Sequence, residues 1–379
     1  MSTTDRHAYI GAAIHDGTRL HTNSALLRDG KMIVGICSVA ALPAGYRVTQ
    51  LEGGTLTPGL VDLQVNGGGG LMFNADPNRA TLETIARAHS TLGTAAIMPT
   101  LITAKPAQTQ AAIGAVTAAI EAGVPGILGI HLEGPHLSVA RCGAHDPALI
   151  RPMTDADLEL LVTAARSIPN VMVTVAPENV TQAQVAALAA AGVIVSLGHT
   201  DADFATCLAY IAAGARCATH LFNAMSQMGH RRPGLVGAVL DKDSVSAGLI
   251  ADGIHVHPAV IGAALRAKQG PGRIYLVSDA MATVGSDIDQ FELDGRVIFR
   301  RDGSLTLADG TLAGADIDLC AAIRVMVEQV GVNSETAIAM ATSAPGSVLR
   351  NALGFGHLHE GATAKIAHLD KDLRFIGFL

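Results

Sequence analysis

The 379-residue chain has no tryptophan, only four tyrosines and eight phenylalanines. Aromatic platforms on which bases or long sugar chains stack are therefore scarce. Charged residues make up 16% of the chain, the formal net charge is −7, and no Lys/Arg cluster is longer than Arg231-Arg232. That composition argues against a nucleic-acid partner and leaves a small polar molecule as the expected one. The five cysteines, Cys37, Cys142, Cys207, Cys217 and Cys320, form no C-x-x-C pair and are odd in number. A disulfide framework and a zinc ribbon are both disfavoured, and Cys207 and Cys217, in Ala-rich segments, read as small buried hydrophobes. Hydrophobic residues reach 49%, yet no uninterrupted apolar run approaches the roughly 18 residues that cross a bilayer. Residues 1–22 are polar, with Asp5, Arg6, His7, His15 and Asp16, and lack the apolar stretch of a secretory signal. A cytoplasmic protein with no membrane partner is expected.

What is present is a rhythm. From about Gly59 to Ala282, strand-like apolar runs alternate with Ala-rich stretches of helical period, which predicts β/α units and a parallel sheet. The runs are Leu60–Val65, Ala95–Pro99, Ile127–Leu132, Val171–Val175, Val193–Leu197, Ala218–Leu221, Gly248–Ala251 and Ile274–Val277. Eight is the number that closes a (β/α)₈ TIM-like barrel. Helices are predicted over Arg79–Leu92, Pro106–Ala122, Asp155–Ser167, Thr181–Ala191, Ala202–Ala213 and Pro258–Ala267, with N-caps at Thr154 and Asp201. Residues 1–57 and 355–379 carry short β-like stretches, Lys31–Ser38, Tyr46–Leu51, Ala364–Leu369 and Leu373–Phe378. They suggest a small discontinuous domain, paired as one sheet, beside a barrel spanning 58–354. Within 283–312 a hairpin pattern, Phe291–Arg300 and Ser304–Leu307 around Asp302-Gly303, stands where a lid over the barrel mouth would begin.

Functional side chains of such a barrel sit at the C-terminal ends of its strands. Here those ends carry Gln64 and Asn66, Glu133, Glu178, His199, His220 and Asn223, Asp252 and His255, and Asp279. Ordinary turn chemistry supplies Gly, Asn, Asp and Ser at such places. A single histidine beside an apolar run is usually a hydrogen-bonded core or surface residue. Two imidazoles with a carboxylate, by contrast, give a divalent ion three protein ligands and leave a position for water. Glu133, His199 and His220 are that set, and Asp279, on the strand adjoining the first, is placed to move protons.

Six segments carry a resemblance: TPGLVDLQVNGGGG at Thr57–Gly70, HLEGPHL at His131–Leu137, GHT at Gly198–Thr200, THLFNAM at Thr219–Met225, ADGIHV at Ala251–Val256 and LVSDAM at Leu276–Met281. With them the chain resembles the amidohydrolase superfamily, and within it the branch that deacetylates N-acetylglucosamine 6-phosphate. The resemblance implies a metal-dependent barrel flanked by a small β-sandwich, a homodimer, and hydrolysis of an N-acetylated amino-sugar phosphate to amine and acetate. It places the metal on Glu133, His199 and His220 and the general acid/base on Asp279. It also puts His145 and His255 against substrate, where His145 foremost, or else His255, would donate to the reacting carbonyl, with Asn223, Ala224 and Arg231 at the phosphate. Ala144, Leu312 and Ala313 fall on further substrate-contacting positions.

Many relatives in that superfamily open on a His-x-His pair supporting a second ion, whereas this chain has Gln64 and Asn66. Amides are poor ligands beside imidazoles, so a single divalent ion is expected, Zn²⁺ foremost, with Fe²⁺, Co²⁺ and Mn²⁺ compatible. There is no G-x-x-x-x-G-K loop to hold a phosphate, and Gly67–Gly70 reads as tight backbone near the site. Three alternatives remain open: the galacto epimer as substrate, another amidohydrolase reaction such as cyclic-amide hydrolysis, and a non-catalytic barrel scaffold.

Overall fold

Runs of β-branched and aliphatic residues that are buried on both faces have one stable home, a parallel sheet covered by helices. Val171–Val175 is such a run, with all five residues buried. The computed structural model describes residues 5–363 and 365–379. Residues 1–4 of the expected terminal domain, and Ala364 of the expected strand Ala364–Leu369, lie outside the described residues.

The eight barrel strands, numbered here in chain order, are Leu60–Val65, Thr94–Ile102, Ile130–Glu133, Val171–Val175, Ile194–Leu197, Cys217–Ala218, Ser246–Leu249 and Ile274–Leu276. Each pairs in parallel with its sequence neighbour. The ring closes through a parallel bridge between Val65 and Ala280. All eight predicted runs are strands. The sixth is two residues long where four were expected, because His220 turns left-handed at φ +29° and ends the extension.

Helices follow the strands, and two of them open on full capping boxes, Thr154 with Asp157 and Thr181 with Gln184. The expected cap at Asp201 is corrected: Asp203 caps Phe204–Ala212 through the Thr206 N–H, while Asp201 pairs with Arg141. The helix Gly234–Asp241 escaped prediction because Gly234 through Val239 are all buried, leaving no polar face to mark a period. Three further helices, Leu319–Glu328, Ser334–Met340 and Ser343–Val348, follow the lid region. Among the described residues, no helix is long and apolar enough to cross a membrane.

The terminal segments form two sheets, as the β-sandwich implied by the resemblance requires, where the strand pattern alone suggested one. Arg6–Ile10, Ser24–Asp29, Met32–Ser38 and Arg47–Gln50 make the first; Ala13–His15, Leu20–His21, Thr55–Pro58, Ile366–Leu369 and Phe375–Phe378 make the second. The chain changes sheet at Gly11, where φ is +89° and an added Cβ would lie 2.2 Å from the Gln50 amide. Tyr9, Ile14, Leu26, Ile33, Leu56, Leu358 and Ile366 join in one apolar cluster, so both ends of the chain share a core. The lid is larger than the expected hairpin: Gln290–Leu293, Arg296–Arg301, Ser304–Thr306 and Leu312–Ala315 form a four-stranded antiparallel sheet. A bridge between Ala315 and Ala280 ties it to the exit of strand eight.

Candidate metal centre and active site

Glu133, the last residue of strand three, points into the barrel mouth with its side chain 3% exposed. Its Oε1 lies 3.1 Å from His199 Nε2 and 3.0 Å from His220 Nε2, and the two nitrogens are 3.1 Å apart. Ligand atoms on one tetrahedral ion, at bonds of 2.0–2.1 Å, stand about 3.4 Å from one another. His199 Nδ1 donates to the Arg141 carbonyl at 2.8 Å, which leaves the Nε2 lone pair facing the other two atoms. Two imidazole nitrogens and one carboxylate oxygen converging on one point match the donor set of a divalent ion.

His199, His220 and Asp279 each immediately follow or lie near a strand end and take positive φ, +48°, +29° and +49°. Side chains in that region cost about 1–3 kcal/mol each and persist only where the surroundings hold them. A second grouping also exists, since donor atoms of Glu133, His145 and His199 lie within 4.8 Å of one another. His145 is the third member of that grouping. Its Nδ1 is engaged by Thr103, whose N–H donates to it at 3.3 Å and whose hydroxyl lies at 2.8 Å. With Nδ1 accepting, Nε2 carries the proton and is a donor. Burial, then the neighbouring His199, pushes the His145 pKa down to about 3, so the ring is neutral.

Asp279 Oδ1 accepts from Asn66 Nδ2 at 2.7 Å and from Gln64 Nε2 at 3.1 Å. The same Gln64 nitrogen donates to Glu133 Oε2 at 3.2 Å. The two amides at the His-x-His positions thus hold carboxylates with N–H groups, and Gln64 bridges Asp279 to Glu133. Burial, then the Glu133 charge, raises the Asp279 pKa to about 6. That is a carboxylate suited to taking a proton and giving it back near neutral pH.

The surrounding pocket has a volume of about 410 Å³. Of the expected substrate contacts, Ala144, His145, Asn223, Ala224, His255 and Leu312 line it. Ala313 does not; its side chain is fully buried in the apolar core of the lid, between Leu312 and Gly314, which do line the pocket. Arg231 is exposed and outside the pocket wall. His255 is fixed by Asp252: Nδ1 donates to Oδ2 at 2.6 Å, while Oδ1 accepts the N–H groups of Ile254 and His255. Glu178 faces elsewhere, bracing the loop after strand five through Thr200 Oγ1 and the Asp201 N–H.

Sequence reasoning missed several wall residues, Arg141, Cys142, Met281 and Thr311. Arg141 is the one Lys or Arg lining the pocket among the described residues, and it is paired with Asp201 at 2.7 Å. Loop residues carry no periodicity, so no signal marked them.

The family model described as Amidohydrolase family matches residues 55–377. An N-acetylgalactosamine-6-phosphate deacetylase of Shewanella sp. (strain ANA-3) is 44% identical over 334 residues, 87% of this chain and 82% of that protein. The crystal structure of N-acetylglucosamine-6-phosphate deacetylase from Pasteurella multocida superposes with a TM-score of 0.93 at 33% identity, covering 99% of this chain and 98% of that one. An aspartate-to-alanine variant of the Mycobacterium smegmatis N-acetyl-D-glucosamine-6-phosphate deacetylase, in complex with N-acetyl-D-glucosamine 6-phosphate, superposes with a TM-score of 0.90 at 31% identity, covering 99% and 98%.

Proposed function

The chain belongs to the amidohydrolase family, and from that membership and the site geometry we propose that it hydrolyses N-acetyl-D-glucosamine 6-phosphate to D-glucosamine 6-phosphate and acetate. The observation that carries this reading is the convergence of Glu133, His199 and His220 beside Asp279. Those three residues would hold one divalent ion, Zn²⁺ foremost. When bound, such an ion lowers the pKa of water from 15.7 to about 7 and polarises a carbonyl oxygen. Asp279, held by Gln64 and Asn66, takes a proton from the attacking water. It then delivers that proton to the departing amine, since an amide anion is too poor a leaving group to depart unprotonated. His145 donates its Nε2 proton in a hydrogen bond to the acetamide oxygen as negative charge grows there.

The sugar lies against Ala144, Asn223, Ala224, His255 and Leu312, with Ala313 contributing backbone only. Arg231, exposed on the rim, contacts phosphate in a homodimer by reaching the neighbouring copy's pocket. The terminal segments 1–57 and 355–379 act as a discontinuous β-sandwich domain beside the barrel at 58–354, and the reaction takes place in the cytoplasm.

A second reading, the galacto epimer, is favoured by the Shewanella relative at 44% identity. Acetate release from both hexosamine phosphates, measured side by side on ion-replete protein, separates the two. Faster turnover of the gluco substrate supports the proposal, faster turnover of the galacto substrate supports the second reading, and no acetate from either sinks both.

A further inference from the structure

A (β/α)₈ barrel has one seam that sequence order does not supply, where the last strand meets the first. Here that seam is paired by backbone only near the mouth: the Asp279 N–H donates to the Gln64 carbonyl at 3.0 Å, and the Asn66 and Gly67 N–H groups donate to the Ala280 carbonyl at 2.9 and 3.0 Å. Strand eight ends at Leu276, and lower down the Val61 N–H turns away to the Ala341 carbonyl at 2.9 Å. Between these levels stands Asp62, with none of its surface exposed. Its Oδ1 accepts the Gln64 N–H at 3.1 Å, and its Oδ1 and Oδ2 share the Ser278 N–H at 3.2 and 3.1 Å.

No cation lies within salt-bridge distance of Asp62 among the described residues. Burying a carboxylate without one is costly, and burial pushes its pKa up to about 7. A core position that served packing alone would be filled by Val, Ile or Leu, as barrel interiors usually are. What the carboxylate does instead is join two backbones. One belongs to Gln64, whose side chain touches both Asp279 and Glu133; the other belongs to Ser278, the residue before Asp279.

We infer that Asp62 is a positioning residue for proton transfer: it locks strand one to strand eight so that Gln64 and Asp279 keep their mutual geometry beside the metal centre. It touches neither substrate nor ion. The inference rests on the assignment of Asp279 in the proposed function.

Asp62→Asn keeps the size of the side chain but presents an NH₂ group to one of the two backbone donors. In the ion-replete enzyme it is expected to retain its metal content and folded circular-dichroism spectrum, keep KM within about threefold, and lose about 10- to 100-fold in kcat, the range for residues that orient a metal site from behind. Asp62→Ser, which keeps an acceptor in a smaller side chain, is read in the same way should the first variant not fold. A folded, metal-loaded variant with kcat within about threefold of wild type would overturn the inference. So would a loss of activity that tracks lost metal, or failure of both variants to fold, which would make Asp62 part of the framework only. Asp279→Asn is assayed in parallel: activity retained there removes the assignment on which the inference rests, whereas activity lost there and kept in Asp62→Asn counts against Asp62 alone.

Discussion

The inner wall of the pocket and its rim are built differently. On the inner wall, Glu133, His199, His220 and Asp279 stand at or just beyond strand ends, buried, with the three last held at positive φ. Around it, Arg141 has 38% of its side chain exposed, Thr311 and Leu312 come from the segment after strand eight, and Arg231 is exposed outside the lining. Groups that must meet a reacting atom within fractions of an ångström are mounted on the rigid frame. The surrounding groups are mounted on loops, which change without disturbing the frame.

The sharpest way to break this contrast is to strip the inner wall. Chelation is expected to abolish acetate release and lower the melting temperature, and a divalent ion added back is expected to restore both; full activity after exhaustive dialysis against chelator would contradict it. Next, Asp279→Asn should keep its metal yet lose about 10²- to 10⁴-fold in kcat, the contribution of a positioned acid/base. Steady-state kinetics with metal analysis checks both halves of that statement.

The pH profile sharpens the same wall. Asp279 must be ionised to accept a proton, so kcat/KM rises with pH through its pKa. Burial and Glu133 place that value at about 6. A bound cation favours the carboxylate and pulls the limb lower. An acid limb at or below pH 6 is expected, and one clearly above it would remove Asp279 from the role.

On the rim, Arg231→Ala should raise KM for the phosphorylated sugar about 10- to 100-fold relative to its unphosphorylated counterpart, the size of a lost charge-assisted hydrogen bond of about 1.5–3 kcal/mol. An unchanged ratio would exclude Arg231 from phosphate recognition. Smallest of all, Thr154→Ala removes one half of a capping box outside the pocket lining. A loss of about 1 kcal/mol in denaturant unfolding with unaltered kinetics is expected.

The legibility of the fold in the sequence followed the same division. Each barrel strand is a short β-branched or aliphatic run bounded by turn residues, so strand positions and their polar ends could be read directly, and with them Glu133, His199, His220 and Asp279. The left-handed backbone at His199, His220 and Asp279 could not, because His and Asp are enriched at positive φ without being confined to it. Gln64 and Asn66 were legible as missing ligands but not as amides that hold Asp279, a role that depends on which strand closes the barrel. Helix Gly234–Asp241 was hidden by its uniform burial, and the lid segment gained strands because Asp294-Gly295 turns the expected Phe291–Arg300 run back on itself and Leu312–Ala315 pairs with Ser304–Thr306. Arg141 entered the pocket from a loop, where no period exists to read.

The central claim is one divalent ion on Glu133, His199 and His220 with Asp279 beside it. Anomalous X-ray scattering at the metal edge from crystals of ion-replete protein tests it most directly. The account predicts a single peak within bonding distance of Glu133, His199 Nε2 and His220 Nε2, with Gln64 and Asn66 turned to Asp279. A peak held by His145 in place of His220, or a second peak against Gln64 and Asn66, would contradict it.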